Sequence, residues 1–144
     1  MKAIAINGSP RKGWTTDLLL QKALEGAAAA GAETELIQLS DLTFSGCRSC
    51  FACKRAGAET GRCMWKDDLQ PVLDKMLSAD AMKRLGGSSE YYAACDTLQF
   101  EDYSKFAAGT FNEEHKRKVR ETQFPKELQA AYDIGYRLIQ TAAK

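Results

Sequence analysis

The sequence predicts an α/β protein whose opening segment starts a doubly wound parallel sheet. Three observations carry this reading. Residues 2–6 hold a nearly continuous apolar run, as expected of a strand buried on both faces, and it stops abruptly in Asn7-Gly8-Ser9-Pro10. A stretch of helical period follows and ends at a glycine. A second short apolar run, residues 33–39, then completes a β-turn-α-β unit.

The first helix begins where Thr15 or Thr16 can act as N-cap and Asp17 meets the positive helix start. Leu19, Leu20, Ala23, Gly26 and Ala27 recur at the 3.6-residue period, and Gly31 supplies the stop. In the second strand Leu36, Ile37 and Leu39 are apolar. Residues 40–63 read as a loop crowded with thiols. A second helix is capped by Asp67 or Asp68, carries Val72, Leu73, Met76 and Leu77 as its apolar stripe, and ends over residues 78–81. Residues 82–87, MKRLGG, then resemble the last turn of a helix and its glycine stop, where a doubly wound fold calls for a buried strand. Residues 90–95, EYYAAC, are a third strand candidate. Helices over 111–121 and 125–143 follow, the second with Leu128, Ala131, Tyr132, Gly135, Leu138 and Ile139 on one face.

Composition points to the same shortage of strands. Two valines and five isoleucines stand against 21 alanines, whereas a buried parallel sheet is rich in Val, Ile and Leu. Three strands are read where a sheet of this type holds about five, and each missing βα unit would occupy about 30 residues. The chain is therefore expected to be one domain over residues 1–144, with a seam near Ala81 and Met82 where central strands are absent from the sequence.

The formal charge of +1 gives no global field to draw nucleic acid or an anionic membrane. No apolar run reaches the roughly 18 residues of a membrane helix, and the first one is too short for the core of a secretory signal. The expectation is a soluble, cytoplasmic protein, in which five cysteines point to metal, cluster or redox chemistry before a disulfide framework.

The turn after the first strand, Gly8-Ser9-Pro10-Arg11-Lys12-Gly13-Trp14-Thr15-Thr16, has two readings. It is an ordinary strand-to-helix turn with threonine caps, or it is a seat for a phosphate. The second follows because a helix N-terminus leaves N–H groups unpaired and carries partial positive charge. Glycines allow close approach, Ser9, Thr15 and Thr16 offer hydroxyls, and Arg11 adds a planar fork of donors. Neither a Walker loop nor a GxGxxG fingerprint is present. Trp14 either covers a ligand, lies at a subunit contact, or packs on its own domain.

Cys47, Cys50 and Cys53 form a CxxCxxC run, and Cys63 follows after nine residues. That spacing can gather thiolates around one centre, and Arg48, Lys54, Arg55 and Arg62 surround it with positive charge. An iron–sulfur cluster, a four-thiolate zinc site and plain reduced cysteines all remain open. Cys95, on the third strand candidate, reads as a buried small hydrophobe. His115 and the run Lys116-Arg117-Lys118 with Arg120 read as a solvated helix face. No side chain announces itself as a catalytic acid or base.

The segment from Ala5 to Leu42, with Gly8-Ser9-Pro10-Arg11, Thr15-Thr16, the cysteine run and Asp67-Asp68 in that order, resembles the flavodoxin-like NADPH-dependent FMN reductase family, including its iron–sulfur flavoprotein branch. The resemblance covers residues 1 to about 81, and the tail from Cys95 is similar to the C-terminal part of such proteins. It implies a three-layer α/β/α sandwich that binds FMN, with Ser9, Arg11, Thr15 and Thr16 at the phosphate, where Trp14 is read from its place in the turn as a further candidate contact. Thr15 stands where the family usually has Asn, and the gap before Cys63 is longer than in the family's compact motif. The resemblance further implies an oxidoreductase or electron-transfer flavoprotein that receives electrons from NAD(P)H or a ferredoxin-like donor and forms a homodimer. A [4Fe-4S] cluster on Cys47, Cys50, Cys53 and Cys63 belongs to the iron–sulfur branch. The alternative is a non-enzymatic four-cysteine metal-binding or interaction module whose turn is only structural.

Overall fold

The computed structural model describes residues 1–58, 62–78, 92–94, 96–105 and 111–142. Strands β1 (Lys2–Asn7) and β2 (Glu33–Gln38) pair in parallel, with Lys2 opposite Glu33 through to Asn7 opposite Gln38. Helix α1 (Thr15–Ala29) is the crossover that a parallel pair requires. Its end is a Schellman motif. Gly31 has φ +90°, its N–H donates to Ala28 O at 2.9 Å, and the Ala32 N–H donates to Ala27 O at 3.1 Å.

Three further helices follow: α2 (Leu69–Ser78), α3 (Glu113–Thr122) and α4 (Phe124–Ala142). α4 packs on α1, and the two backbones touch through a pair of glycines. A β-carbon on Gly26 would stand 2.0 Å from the Tyr132 carbonyl oxygen, and one on Gly135 would stand 1.8 Å from the Ala23 carbonyl oxygen. Nothing larger than hydrogen fits at either place. Ala27, Ala131, Ile139 and Phe124 are buried on these helices, and Ile37 and Val72 are buried on β2 and α2. Glu35 on β2 joins α2 to the sheet, accepting from Lys75 Nζ and lying 3.0 Å from Lys2 Nζ. Lys75 first, then Lys2, hold its carboxyl below the usual range.

The α/β class with a parallel sheet is as expected, and two details differ. The N-cap of α1 is Trp14, with no side-chain capping bond, so Thr15 and Thr16 fall inside the first turn. Asp17, in the third helical position, instead reaches back and accepts from the Gly13 N–H, one residue before the cap. Residues 92–94 of the third strand candidate pair with neither β1 nor β2, and without a hydrogen-bonding neighbour there is no strand. The seam at Ala81 and Met82 and the burial of Cys95 lie outside the described residues. Among the described residues, no helix is long and apolar enough to cross a membrane.

Candidate functional site

β1 delivers Asn7 to the start of the turn, where its side chain is fully buried. Its Nδ2 donates to Asp17 Oδ1 at 3.1 Å, while its Oδ1 accepts from the Ser9 N–H at 2.9 Å. Asp17, 3% exposed, accepts three further bonds: from the Gly13 N–H at 2.6 Å, Gln38 Nε2 at 2.6 Å and Gln21 Nε2 at 3.0 Å. One carboxylate thus ties the turn to β1, β2 and α1. The Gly13 N–H is the largest cause holding this carboxyl below its ordinary value, and the Gln38, Asn7 and Gln21 amides add to it against the cost of burial. Gly13 has φ +73°, a conformation that favours glycine and aims its N–H at Asp17.

The turn so held forms one side of a hollow of about 380 Å³. Ser9, Arg11, Trp14, Thr15 and Thr16 all line it, and residues 94 and 96–99 form the facing wall. Thr15 Oγ1 lies 2.9 Å from Thr97 Oγ1 across the gap. Arg11 donates to the Gln99 carbonyl oxygen, with its guanidinium 5.3 Å from the Trp14 ring and 5.9 Å from that of Phe100. The first intrahelical bond of α1 runs from Leu18 N to Trp14 O, so the N–H groups of residues 14–17 have no acceptor within the helix. Hydroxyls, a guanidinium and helix-start amides around one opening can hold a phosphate or another oxyanion.

The facing wall was not read from the sequence. It rests on Asp96, a non-glycine residue with φ +62°. Asp96 Oδ1 accepts from Lys116 Nζ at 2.6 Å, and its Oδ2 lies 2.7 Å from His115 Nε2. Lys116, chiefly, and then His115 keep the Asp96 carboxyl low. Lys116 is 5% exposed, which corrects the expectation of a wholly solvated basic face on α3. The Asn112 side chain caps that helix by accepting from the His115 N–H at 2.9 Å, so His115 and Lys116 leave the first turn together toward Asp96. Asn7 and Asp17 were legible only as a turn residue and a helix-start acid. Contacts across ten and twenty-one residues of chain leave no local signal.

The cysteine loop is built differently. Asp67 accepts from the Ser45 N–H at 3.1 Å and the Leu69 N–H at 3.1 Å, and Asp68 accepts from the Thr43 N–H at 2.7 Å. Asp67 therefore caps the start of α2, one of the two acids expected there, and both acids fasten the loop's start. Cys47, Cys53 and Cys63 line a hollow of about 570 Å³ with Arg48, Lys54, Arg55 and Arg62, whereas Cys50 is not part of its lining. The four thiols are free and exposed. Among the described residues, no three His, Cys, Asp or Glu side chains are gathered as ligands of one ion. Among the described residues, this loop presents no ready-made four-thiolate set for a cluster or zinc.

Residues 1–94 match the family model of NADPH-dependent FMN reductase, and the chain belongs to that family. The family's flavodoxin-like fold agrees with the parallel β-α-β unit seen here. The chain is 41% identical over 92 residues to an iron–sulfur flavoprotein of Methanocaldococcus jannaschii, covering 64% of this chain and 45% of that protein. It is 43% identical over 82 residues to an iron–sulfur flavoprotein of Archaeoglobus fulgidus, covering 57% of this chain and 38% of that one. An iron–sulfur flavoprotein of Methanosarcina thermophila is 34% identical over 82 residues, with 57% and 41% covered. The chain thus spans less than half the length of each of these relatives. No solved structure matches it.

Proposed function

We propose that this chain binds FMN and works as an oxidoreductase or electron-transfer flavoprotein that receives electrons from NAD(P)H or a ferredoxin-like donor. One observation carries the reading: Ser9, Arg11, Trp14, Thr15 and Thr16 line a single hollow at the start of α1. The fit is chemical. Three hydroxyls, one guanidinium and the first-turn amides supply donors, and the clamp on Asp17 fixes the turn before any ligand arrives. The bound flavin supplies hydride and electron transfer, and the protein supplies binding and orientation. Ser9, Thr15 and Thr16 hold the phosphate, Arg11 balances its charge, and Trp14 covers one side of the opening. No side chain of the site is assigned as a catalytic acid or base. A homodimer in the cytoplasm is part of this proposal.

Purification followed by flavin analysis tests it. The expected sample is yellow, with absorbance near about 450 nm, and Ser9→Ala with Thr16→Ala weakens FMN binding about tenfold or more. A sample that takes up no added FMN sinks the reading. A second reading, a non-enzymatic four-cysteine metal-binding module, draws on Cys47, Cys53 and Cys63 sharing one hollow. The names of the relatives raise an iron–sulfur cluster as a second cofactor, for which Cys47, Cys50, Cys53 and Cys63 are the candidate ligands and [4Fe-4S] the candidate type. The loop as folded assembles no such ligand set, so no electron step is routed through it. Iron, acid-labile sulfide and zinc analysis after anaerobic preparation separates cluster, zinc and free thiols.

A further inference from the structure

The wall facing the phosphate loop carries a carboxylate, an awkward group to place opposite a phosphate. Of the described residues lining this hollow, Asp96 is the one acid and Arg11 the one cation. Left alone, Asp96 would repel a phosphate dianion and cancel much of what Arg11 contributes. It is not left alone. Lys116 Nζ donates to one of its oxygens at 2.6 Å from a side chain 6% exposed, and His115 Nε2 lies 2.7 Å from the other. A lysine is rarely so buried unless paired. The Phe111 ring, 5.3 Å from Nζ, adds a face that favours its charge.

We infer that Lys116 is a charge-neutralising residue acting on the anion site: through Asp96 it cancels the one negative charge among the described residues that line the hollow. This rests on the FMN reading above and extends it to α3, an element lying outside the segment matched by the family model. The ligand class is a phosphomonoester, here the phosphate end of FMN. His115 is the solvent-side partner of the same carboxylate, 56% exposed along its side chain.

The experiment is an FMN titration of the full chain, followed by flavin fluorescence, for wild type, Lys116→Met, Asp96→Asn and the double variant, with circular dichroism as the check on folding. Lys116→Met leaves Asp96 with only the exposed His115 beside it and is expected to weaken FMN binding about tenfold, on the order of one unit charge acting at a partly exposed site. Asp96→Asn keeps a side chain that tolerates positive φ and removes the negative charge. It is expected to bind FMN at least as tightly as wild type. The double variant is expected to recover most of the affinity lost by Lys116→Met, which a purely structural role for Lys116 would not allow. Equal affinity of Lys116→Met and wild type overturns the inference, and so does a double variant no better than the single one. Should Lys116→Met not fold, Asp96→Asn decides alone: a tenfold loss of FMN affinity overturns the inference, and retained or tighter binding supports it. Wild type that binds no FMN overturns the flavin reading itself, a result distinct from either.

Discussion

The hollow at the start of α1 and the hollow of the cysteine loop are made in opposite ways. Around Asp17 a buried carboxylate receives four donors from the turn, β1, β2 and α1, and the functional side chains sit on a frame already fixed. Around the cysteines nearly every side chain is exposed, and Asp67 and Asp68 hold only the loop's two ends together. Phe51 takes a left-handed backbone at φ +55° with its ring 70% exposed, and the Arg48 guanidinium lies 4.5 Å over the half-exposed Trp65 ring. A site on packed elements is preorganised. A site on a loop takes its shape from whatever it binds.

The sharpest way to break the first region is through its support. Gly135→Ala places a methyl 1.8 Å from the Ala23 carbonyl, and Gly26→Ala does the same against Tyr132. Either should force α1 and α4 apart and cost about 3 kcal/mol or more, read as a lowered thermal midpoint. Next comes Asp17→Ala, which strands the Gly13, Asn7, Gln21 and Gln38 donors. A loss of about 3 kcal/mol in urea unfolding is expected, with FMN affinity falling alongside. An unchanged midpoint would show that the network is decorative.

Acid sharpens the comparison. The folded Asp17 carboxyl is held below its unfolded value of about 3.9, so the unfolded chain binds that proton more readily. Its stabilisation is therefore complete above the unfolded value and is lost as pH falls through about 4 toward the lower folded one. Glu35, depressed by Lys75 and Lys2, adds to the same acid limb. Urea midpoints measured from about pH 6 down to about pH 3 should fall steeply in wild type and less steeply in Asp17→Asn. The smallest effects belong to the cysteine loop. Asp68→Ala should cost about 1 kcal/mol through loss of the Thr43 contact. Replacing Cys47, Cys53 and Cys63 together by serine should move the metal-free midpoint by less than about 0.5 kcal/mol. A larger loss would mean that the thiols already support the fold.

Local chemistry made much of this legible. The β-turn-α-β order, the Gly31 stop, an acid cap of α2 and the apolar faces of α1 and α4 are all short-range patterns, and the structure has them except at Leu138, which the period places on the α4 face and the fold leaves 47% exposed. Gly26 and Gly135 were visible as positions on those faces, but their role as paired contacts appears only when the two helices meet. Ser9, Arg11, Trp14, Thr15 and Thr16 were picked out because they follow one strand in one turn, and they do share a hollow. Its other wall, residues 94 and 96–99 with Lys116 behind it, comes from a distant stretch of chain that looks like an ordinary loop and a charged helix.

By itself, the sequence determined β1, α1, β2 and the later helices, the make-up of the turn after β1 and the spacing of the thiols, since each depends on neighbours a few positions away. Tertiary structure alone decided which carboxylate would be buried and satisfied, which lysine would leave solvent, and that the thiols are not drawn into one ligand set. Those outcomes depend on burial and on partners brought from ten to more than eighty residues away. The free energy of a charge is set by what surrounds it in space.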